Sequence, residues 1–409
     1  MTAESPIIVT PSERAAELRV IGGVSAAHFL SHFYFLVLPP LFLWVRADYN
    51  VSYTELGLAI AVFNGVSAVF QTPAGFFADR VGPYTVLVWG LILEAVAFAF
   101  VGLVPSYWFM IAMYAVAGLA NTVYHPADYA LLSHHIAKER VGSAFSFHTF
   151  SGMLGGAVAP AVILMVHSLV GWRGAFVVAG ILGLMAVVVL LLLRNDFANS
   201  PHLQKAANPT PPGADWSLLL SGPILRSFVF FALLAAANVG LQNYSVVALH
   251  AAFNTTVEVG NTALTANMLL SAGGVLVGGL LVNRLSNHSL FSALGLCVSC
   301  AAVLFVGLAD FGTVALMALM CLAGFANGLI MPSRDMIVRE VTPPGLFGTV
   351  FGFVTTGFNV AGVAFPLLFG ALMDHGSPRA VFFVSAACGL VGILTVMSVR
   401  KPKDDGTPA

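Results

Sequence analysis

The sequence predicts an all-α membrane protein with 12 transmembrane helices in two pseudo-symmetric six-helix bundles. Three observations predict it: a composition foreign to water-soluble domains, twelve apolar runs of spanning length, and a repeat that lays one half of the chain on the other. Of 409 residues, 58% are hydrophobic and 9% are charged, and the mean hydropathy is +0.91. A soluble domain carries nearer a quarter charged residues. The net charge is −1 with no basic run, which argues against a nucleic-acid partner. The opening MTAESPIIVTPSERAAELRV places acids and prolines before the first apolar run, unlike a cleavable signal peptide. Cys297 and Cys300 form a CxxC inside the apolar GLCVSCAAVLF, a setting for packing rather than for redox or zinc chemistry. No metal site and no cofactor are expected.

A spanning helix needs about 20 mainly apolar residues. Such runs lie near 20–45, 54–78, 84–104, 107–132, 143–168 and 173–194, then near 223–250, 260–283, 289–308, 312–338, 347–372 and 379–399. They divide the chain into a tail (1–19), a first bundle (20–194), a polar, proline-rich linker (195–222), a second bundle (223–399) and a second tail (400–409). Basic residues set the orientation. With the N-terminus inside, Arg14, Arg19, Arg80, Lys138, Arg140, Arg194, Lys205, Arg226, Arg284, Arg339, Arg400, Lys401 and Lys403 fall on the cytoplasmic side, and Arg46, Arg173 and Arg379 outside. Both termini are therefore expected in the cytoplasm of a multi-pass protein of the cell membrane, the inner membrane of a bacterium.

An ungapped shift of 206 residues lays 118–160 on 324–366. Gly118, Ala120, Asn121, Pro126, Gly142, Phe145, Phe147, Thr149, Gly156 and Pro160 meet identical residues, and Arg173 and Phe176 meet Arg379 and Phe382. Repeats in the same orientation imply a parallel duplication about an axis along the membrane normal.

The stretch GFFADRVGPYTVL, from Gly75, resembles the G-x-x-x-D-R-x-G signature of the major facilitator superfamily, in the expected loop between the second and third spans. Its counterpart in the second half, GGLLVNRLSNHS, keeps Arg284 and has Asn283 for the acid. HFLSHFYFLVLPP, from His28, together with YHPADYALL is similar to fosmidomycin-resistance-type exporters. The resemblance implies the major facilitator fold and a monomer whose two bundles tilt around a midplane site. First and fourth spans of each half would line the cavity, and third and sixth would face lipid.

Ionisable groups inside a bilayer are costly, so they face a cavity or a partner and mark function. In the fourth span, Asn121, His125 and Asp128 fall at i, i+4 and i+7, one face of a helix. His28 and His32 lie one turn apart in the first span, and His148 is in the fifth. The second half supplies amides instead: Asn238, Gln242, Asn327 and Asn359. Asp128 and His125 are the candidate proton-coupling groups, and the other histidines and amides the candidate substrate-binding groups. Burial disfavours the charged form of an acid or an imidazole and pairing favours it, so a change of access can move a proton. An ion pair of Asp128 with Arg334 is the plainer alternative. Asp79, Arg80 and Arg334 are the candidate gating residues. Glu94, in a third span, reads as protonated packing, and His134 and His135 as solvated.

No nucleophile–base pair and no Walker-type loop is present, so neither an enzyme nor ATP-driven transport is expected. The expected function is proton-coupled efflux of a small organic solute by alternating access, by a protein embedded in the lipid bilayer. Uptake of an organic anion or vitamin-like solute by symport with protons is the alternative. Transport of a metal or metal chelate through His28, His32, His125, His148 and Asp128 is a third.

Overall fold

The computed structural model describes residues 11–137, 140–198, 216–343 and 347–398; a few side chains inside helices, those of Asp79 and Asn283 among them, lie outside that description. So do Lys138, Lys205, Arg400, Lys401, Lys403 and most of both expected tails and of the linker.

Helices account for nearly every described residue, and the helix breaks fall where the sequence removes a backbone donor or supplies a glycine. The first crossing is α1 (Pro11–Phe35), a 3-10 turn at Pro39–Leu41 and α2 (Phe42–Tyr49). Pro39 and Pro40 lack the N–H that would continue α1. Helix α3 (Tyr53–Val81) starts with a capping box: Glu55 N–H donates to Ser52 Oγ at 3.1 Å, and Ser52 N–H donates to the Glu55 carboxylate at 2.7 Å. Then come α4 (Pro83–Leu103), α5 (Tyr107–Asn121) and α6 (Tyr124–His135). Helix α7 (Val141–Leu192) has 52 residues, about 78 Å at ~1.5 Å per residue, which is more than twice the hydrocarbon thickness. It is therefore two crossings, and the chain reverses at Gly171, whose φ of 74° suits glycine. The sequence leads one to expect a loop at 169–172; a single glycine does the work instead.

Short α8 (Arg194–Ala198) and α9 (Trp216–Leu219) flank the linker. The second half comprises α10 (Gly222–Phe253), α11 (Val257–Leu281), α12 (His288–Leu308), α13 (Gly312–Leu329), α14 (Met331–Val341), α15 (Phe347–Asp374) and α16 (Ala380–Ser398). The tenth crossing, α13 and α14, thus breaks where the fourth does, between α5 and α6. Counting the broken pairs as one and α7 as two gives the twelve crossings of two six-helix halves.

Backbone-to-backbone contact at glycine holds each half together and repeats between them. A Cβ on Gly118 would strike the backbone of Phe63, and one on Gly324 that of Asn267, so the second and eighth crossings pack on the fourth and tenth alike. Gly155 lies equally close to Phe29. Lipid offers no hydrophobic drive between helices, so this close approach carries their association. Large exposed apolar residues line α4 (Trp89, Leu93, Phe100), the end of α7 (Met185, Val188, Leu192), α12 (Leu294, Val298, Phe305) and α16 (Leu390, Leu394), the faces turned to lipid.

The halves meet tightly at one end. Asp374, closing α15, accepts hydrogen bonds from Tyr53 N–H (2.8 Å), Thr54 N–H (2.9 Å) and the Thr54 hydroxyl (2.6 Å) at the start of α3. Asn261 of α11 donates to the Pro160 carbonyl of α7 at 2.7 Å, and Gly57, Gly362 and Gly370 sit against the opposite half. Toward the linker end the same helices part: a Cβ on Gly142, Gly273, Gly279 or Gly352 would meet nothing within 4 Å. Open space lies beside these positions of α7, α11 and α15.

At that end Arg19 donates to Asp196 at 2.8 and 2.9 Å, Arg140 pairs with Glu17 at 2.7 Å, and His135 is buried with one ring nitrogen 2.8 Å from the Phe197 carbonyl. His135 is thus a structural tie and not the solvated group its position suggests; α8 folds over it.

Gly118→Val and Gly324→Val should each lower the thermal unfolding midpoint in detergent, at about 1–3 kcal/mol of overpacking, with Gly142→Val near neutral. The Arg19 hydrogen bonds hold the Asp196 carboxyl below its ordinary value. The stability this contributes is present above about pH 4 and lost as pH falls through the depressed folded value. The wild type should therefore melt above Asp196→Asn at pH 7, and the two should converge as the solution is acidified below that value.

Candidate functional site

The fourth crossing is divided at Thr122–Val123, where both residues keep helical φ/ψ. Asn121 lies 3.5 Å from Glu94 of α4, and the Tyr124 hydroxyl donates to Glu94 at 2.6 Å. Glu94 is 0% exposed, so it faces the fourth crossing inside the half rather than lipid. Asn121 is held against Glu94, while His125 and Asp128 pack with histidines of the first and fifth crossings.

Beyond the break, α6 brings Asp128 against the first and fifth crossings. Asp128 is 0% exposed. Its Oδ2 lies 2.9 Å from His148 Nε2 and 3.6 Å from His28 Nδ1. The His28 and His148 rings stack, with centroids 3.8 Å apart. Gly152 makes this possible: a Cβ there would stand 2.6 Å from the His28 ring and 2.9 Å from that of His32. His32 and His125 flank His28 edge-on at 4.7 and 5.2 Å. Four histidines and one acid from three crossings thus converge. Arg334, the residue that the repeat sets opposite Asp128, is not its partner.

The cluster has a dry layer and a wet one. Asp128, His148 and His28 are buried, whereas solvent reaches His125 and Tyr129, which is 43% exposed, and part of His32. Tyr129, which spacing did not single out, stacks on His125 and touches Phe145 and His148. A tyrosine next to the embedded acid and one turn after His125 is the signal that points to it.

The second half presents amides. Asn327 donates to Asn238 at 3.0 Å, and Asn238 donates to the Leu234 carbonyl at 2.9 Å. Gln242 and Asn359 are half-buried on α10 and α15. Arg334 lies over the rings of Phe231 (4.6 Å) and Phe358 (5.4 Å) and donates to its neighbour Asp335 at 2.9 Å. Arg80 is exposed at the linker end of α3, next to Asp79, whose side chain lies outside the described residues.

Twelve crossings in two like halves, with a buried polar cluster in the first of them, are the architecture of a membrane transporter. The Major Facilitator Superfamily profile matches residues 24–247 and 228–409, and the chain belongs to that family. It is 27% identical to a probable sulfoacetate transporter of Cupriavidus necator, over 87% of each chain. It is 23% identical to a D-galactonate transporter of Escherichia coli O6:H1 (86% and 88% covered), and 20% identical to the fosmidomycin resistance protein of Escherichia coli K12, over 92% of each. Among solved structures it is similar in fold to a bacterial homologue of the human lysosomal transporter Spinster, with TM-score 0.78, 13% identity, and 96% and 95% of the chains covered. The protein is a multi-pass membrane transporter of the major facilitator fold, not an enzyme.

The Asp374 latch makes a prediction about the closed end. Hydrogen bonds to a charged group are worth about 1.5–3 kcal/mol each, and Asp374→Asn weakens three of them. That variant should show at least tenfold faster labelling of a cysteine placed at Val51, just before α3, by a membrane-impermeant thiol reagent.

Proposed function

We propose that the chain exports a small organic solute in exchange for protons by alternating access, with Asp128 carrying the proton. One observation supports this reading above the others: a carboxyl wholly removed from solvent touches two imidazoles, one layer beneath histidines that solvent reaches. A lone carboxylate there would be very costly. It is tolerated either protonated, beside neutral rings, or ionised beside an imidazolium. Both states hold one proton between the carboxyl and the imidazoles, so coupling requires that this proton leave toward one side and be regained from the other, and tilting the bundles changes which side supplies it.

Proton and solute compete in this arrangement. His125 and His32 are the polar groups a solute meets first, and Asn238, Gln242, Asn327 and Asn359 offer hydrogen bonds from the facing half. Protonation adds positive charge where the solute binds, and competition for one site makes exchange the natural stoichiometry. Asp79, Arg80 and Arg334 act as gating residues in this reading, through the linker end of α3 and the tenth crossing. The protein works as a monomer in a bacterial inner membrane with both termini cytoplasmic, which makes the open end of the cleft the cytoplasmic one.

A second reading rests on Arg334, a cation held between two aromatic rings on the facing half. Arginine suits carboxylates and sulfonates, and two relatives are named for sulfoacetate and D-galactonate. On this reading an organic anion enters together with protons.

Sealed vesicles of known orientation with an imposed pH gradient separate the two, using a panel of sulfonates, sugar acids and hydrophobic amines. Exchange accumulates solute in the acidic compartment, and symport drives it toward the alkaline one. In either direction, Asp128→Asn should cut gradient-driven transport at least tenfold while leaving solute-for-solute exchange measurable. Full gradient-driven transport by that variant removes Asp128 as the coupling acid.

A further inference from the structure

The dry layer of the cluster has the composition of a metal site. We infer that His28, Asp128 and His148 form a three-ligand site for a divalent transition-metal ion, which competes with the proton for the same lone pairs. The inference rests on the preceding reading only in placing the cluster on the solute path.

The geometry comes first. One ligand atom from each of the three residues lies within 4.8 Å of the other two, and all three residues are buried. With metal–ligand bonds of roughly 2.0–2.2 Å, ligand atoms in a tetrahedral site stand about 3.4 Å apart. The 2.9 and 3.6 Å separations from Asp128 Oδ2 bracket that spacing, and closing the third side requires one of the two stacked imidazoles to reorient toward the shared ion.

Hydrogen-bond supply is the second, independent point. Among the described residues, Asp128 Oδ1, His28 Nδ1 and His148 Nδ1 are buried without a hydrogen-bond partner. Buried polar atoms are nearly always satisfied, and an ion or water is the usual explanation for those that are not. His28 Nδ1, one of the three, is also the atom aimed at Asp128. A cation would take up His28 Nδ1 and the Asp128 carboxylate, with His148 binding through the Nε2 that faces Asp128.

The donor set then selects the ion. Two imidazoles and one carboxylate suit zinc, cobalt, nickel, iron or copper far better than magnesium or calcium, which prefer oxygen. Three protein ligands leave a coordination position open, as exchangeable sites do and closed structural sites do not. His125 and His32 stand around His28 toward the wet side, where an ion would enter. Ligands must be deprotonated to bind, so acid should expel the ion.

The test uses full-length, tag-free protein in detergent, stripped with chelator and titrated with Co2+ or Zn2+ alone. One ion should bind per chain, and affinity should fall at least tenfold from pH 7.5 to pH 5.5. His148→Gln and Asp128→Asn should each weaken binding at least tenfold, whereas His375→Gln, at an exposed histidine of the opposite end, should not. Pulsed electron paramagnetic resonance of Cu2+ bound to the wild type should report two histidine nitrogens, a readout that needs no variant to fold. No binding, binding unaffected by both cluster variants, or a count other than two nitrogens overturns the inference. Gradient-driven transport by chelator-stripped vesicles separates the two ideas, since its persistence leaves proton coupling standing whatever the metal result.

Discussion

The buried Asp128 carboxyl is the constraint on which the rest depends. An acid at that depth is tolerable only with partners, and the chain provides them from separate crossings: His148 on the fifth and His28 on the first. Supplying two rings to one carboxyl forces the first and fifth crossings together. That in turn requires a hydrogen at Gly152, where any side chain would strike the histidines. Glycine contacts along this interface are thus part of the polar site as much as of the packing.

The duplication explains how such a site can be served from two sides. Tight glycine-to-backbone packing makes each half a rigid body, so motion is left to the surfaces between halves. Those surfaces are closed at one end by Asp374 and Asn261 and parted at the other. The cluster sits on one body and the amides of Asn238 and Asn327 on the other, so a solute between them would feel both. The two halves share a scaffold and divide the chemistry, and the place where they diverge most, Asp128 against Arg334, is the place where charge enters the cleft.

Much of this was legible in the sequence because it depends on local composition and on a repeat. Twelve apolar runs, the prolines Pro160 and Pro366, and the paired glycines Gly118 and Gly324 carry their meaning in one dimension. The histidines and Asp128 could be named because such groups are rare in lipid. What escaped depended on a helix break or on tertiary contact. Asn121 meets Glu94 of α4, a contact between crossings that no spacing rule within one helix could foresee. Tyr124 and Tyr129 were lost among the many aromatics that face lipid. Asp374 reads as a solvated helix end until its three donors on α3 are seen, and His135 as a surface residue until α8 covers it. Gly171 hid in plain view, since a one-residue reversal leaves no loop to detect.

The central claim is that Asp128 changes protonation during the working cycle, and infrared difference spectroscopy of the protein in lipid tests it most directly. The account predicts a protonated-carboxyl band that fades as pH rises through the range in which a gradient drives transport, shifts when Asp128 is isotopically labelled, and is absent from Asp128→Asn. A carboxyl spectrum that is flat across that range, or a titrating band that survives the substitution, would contradict it.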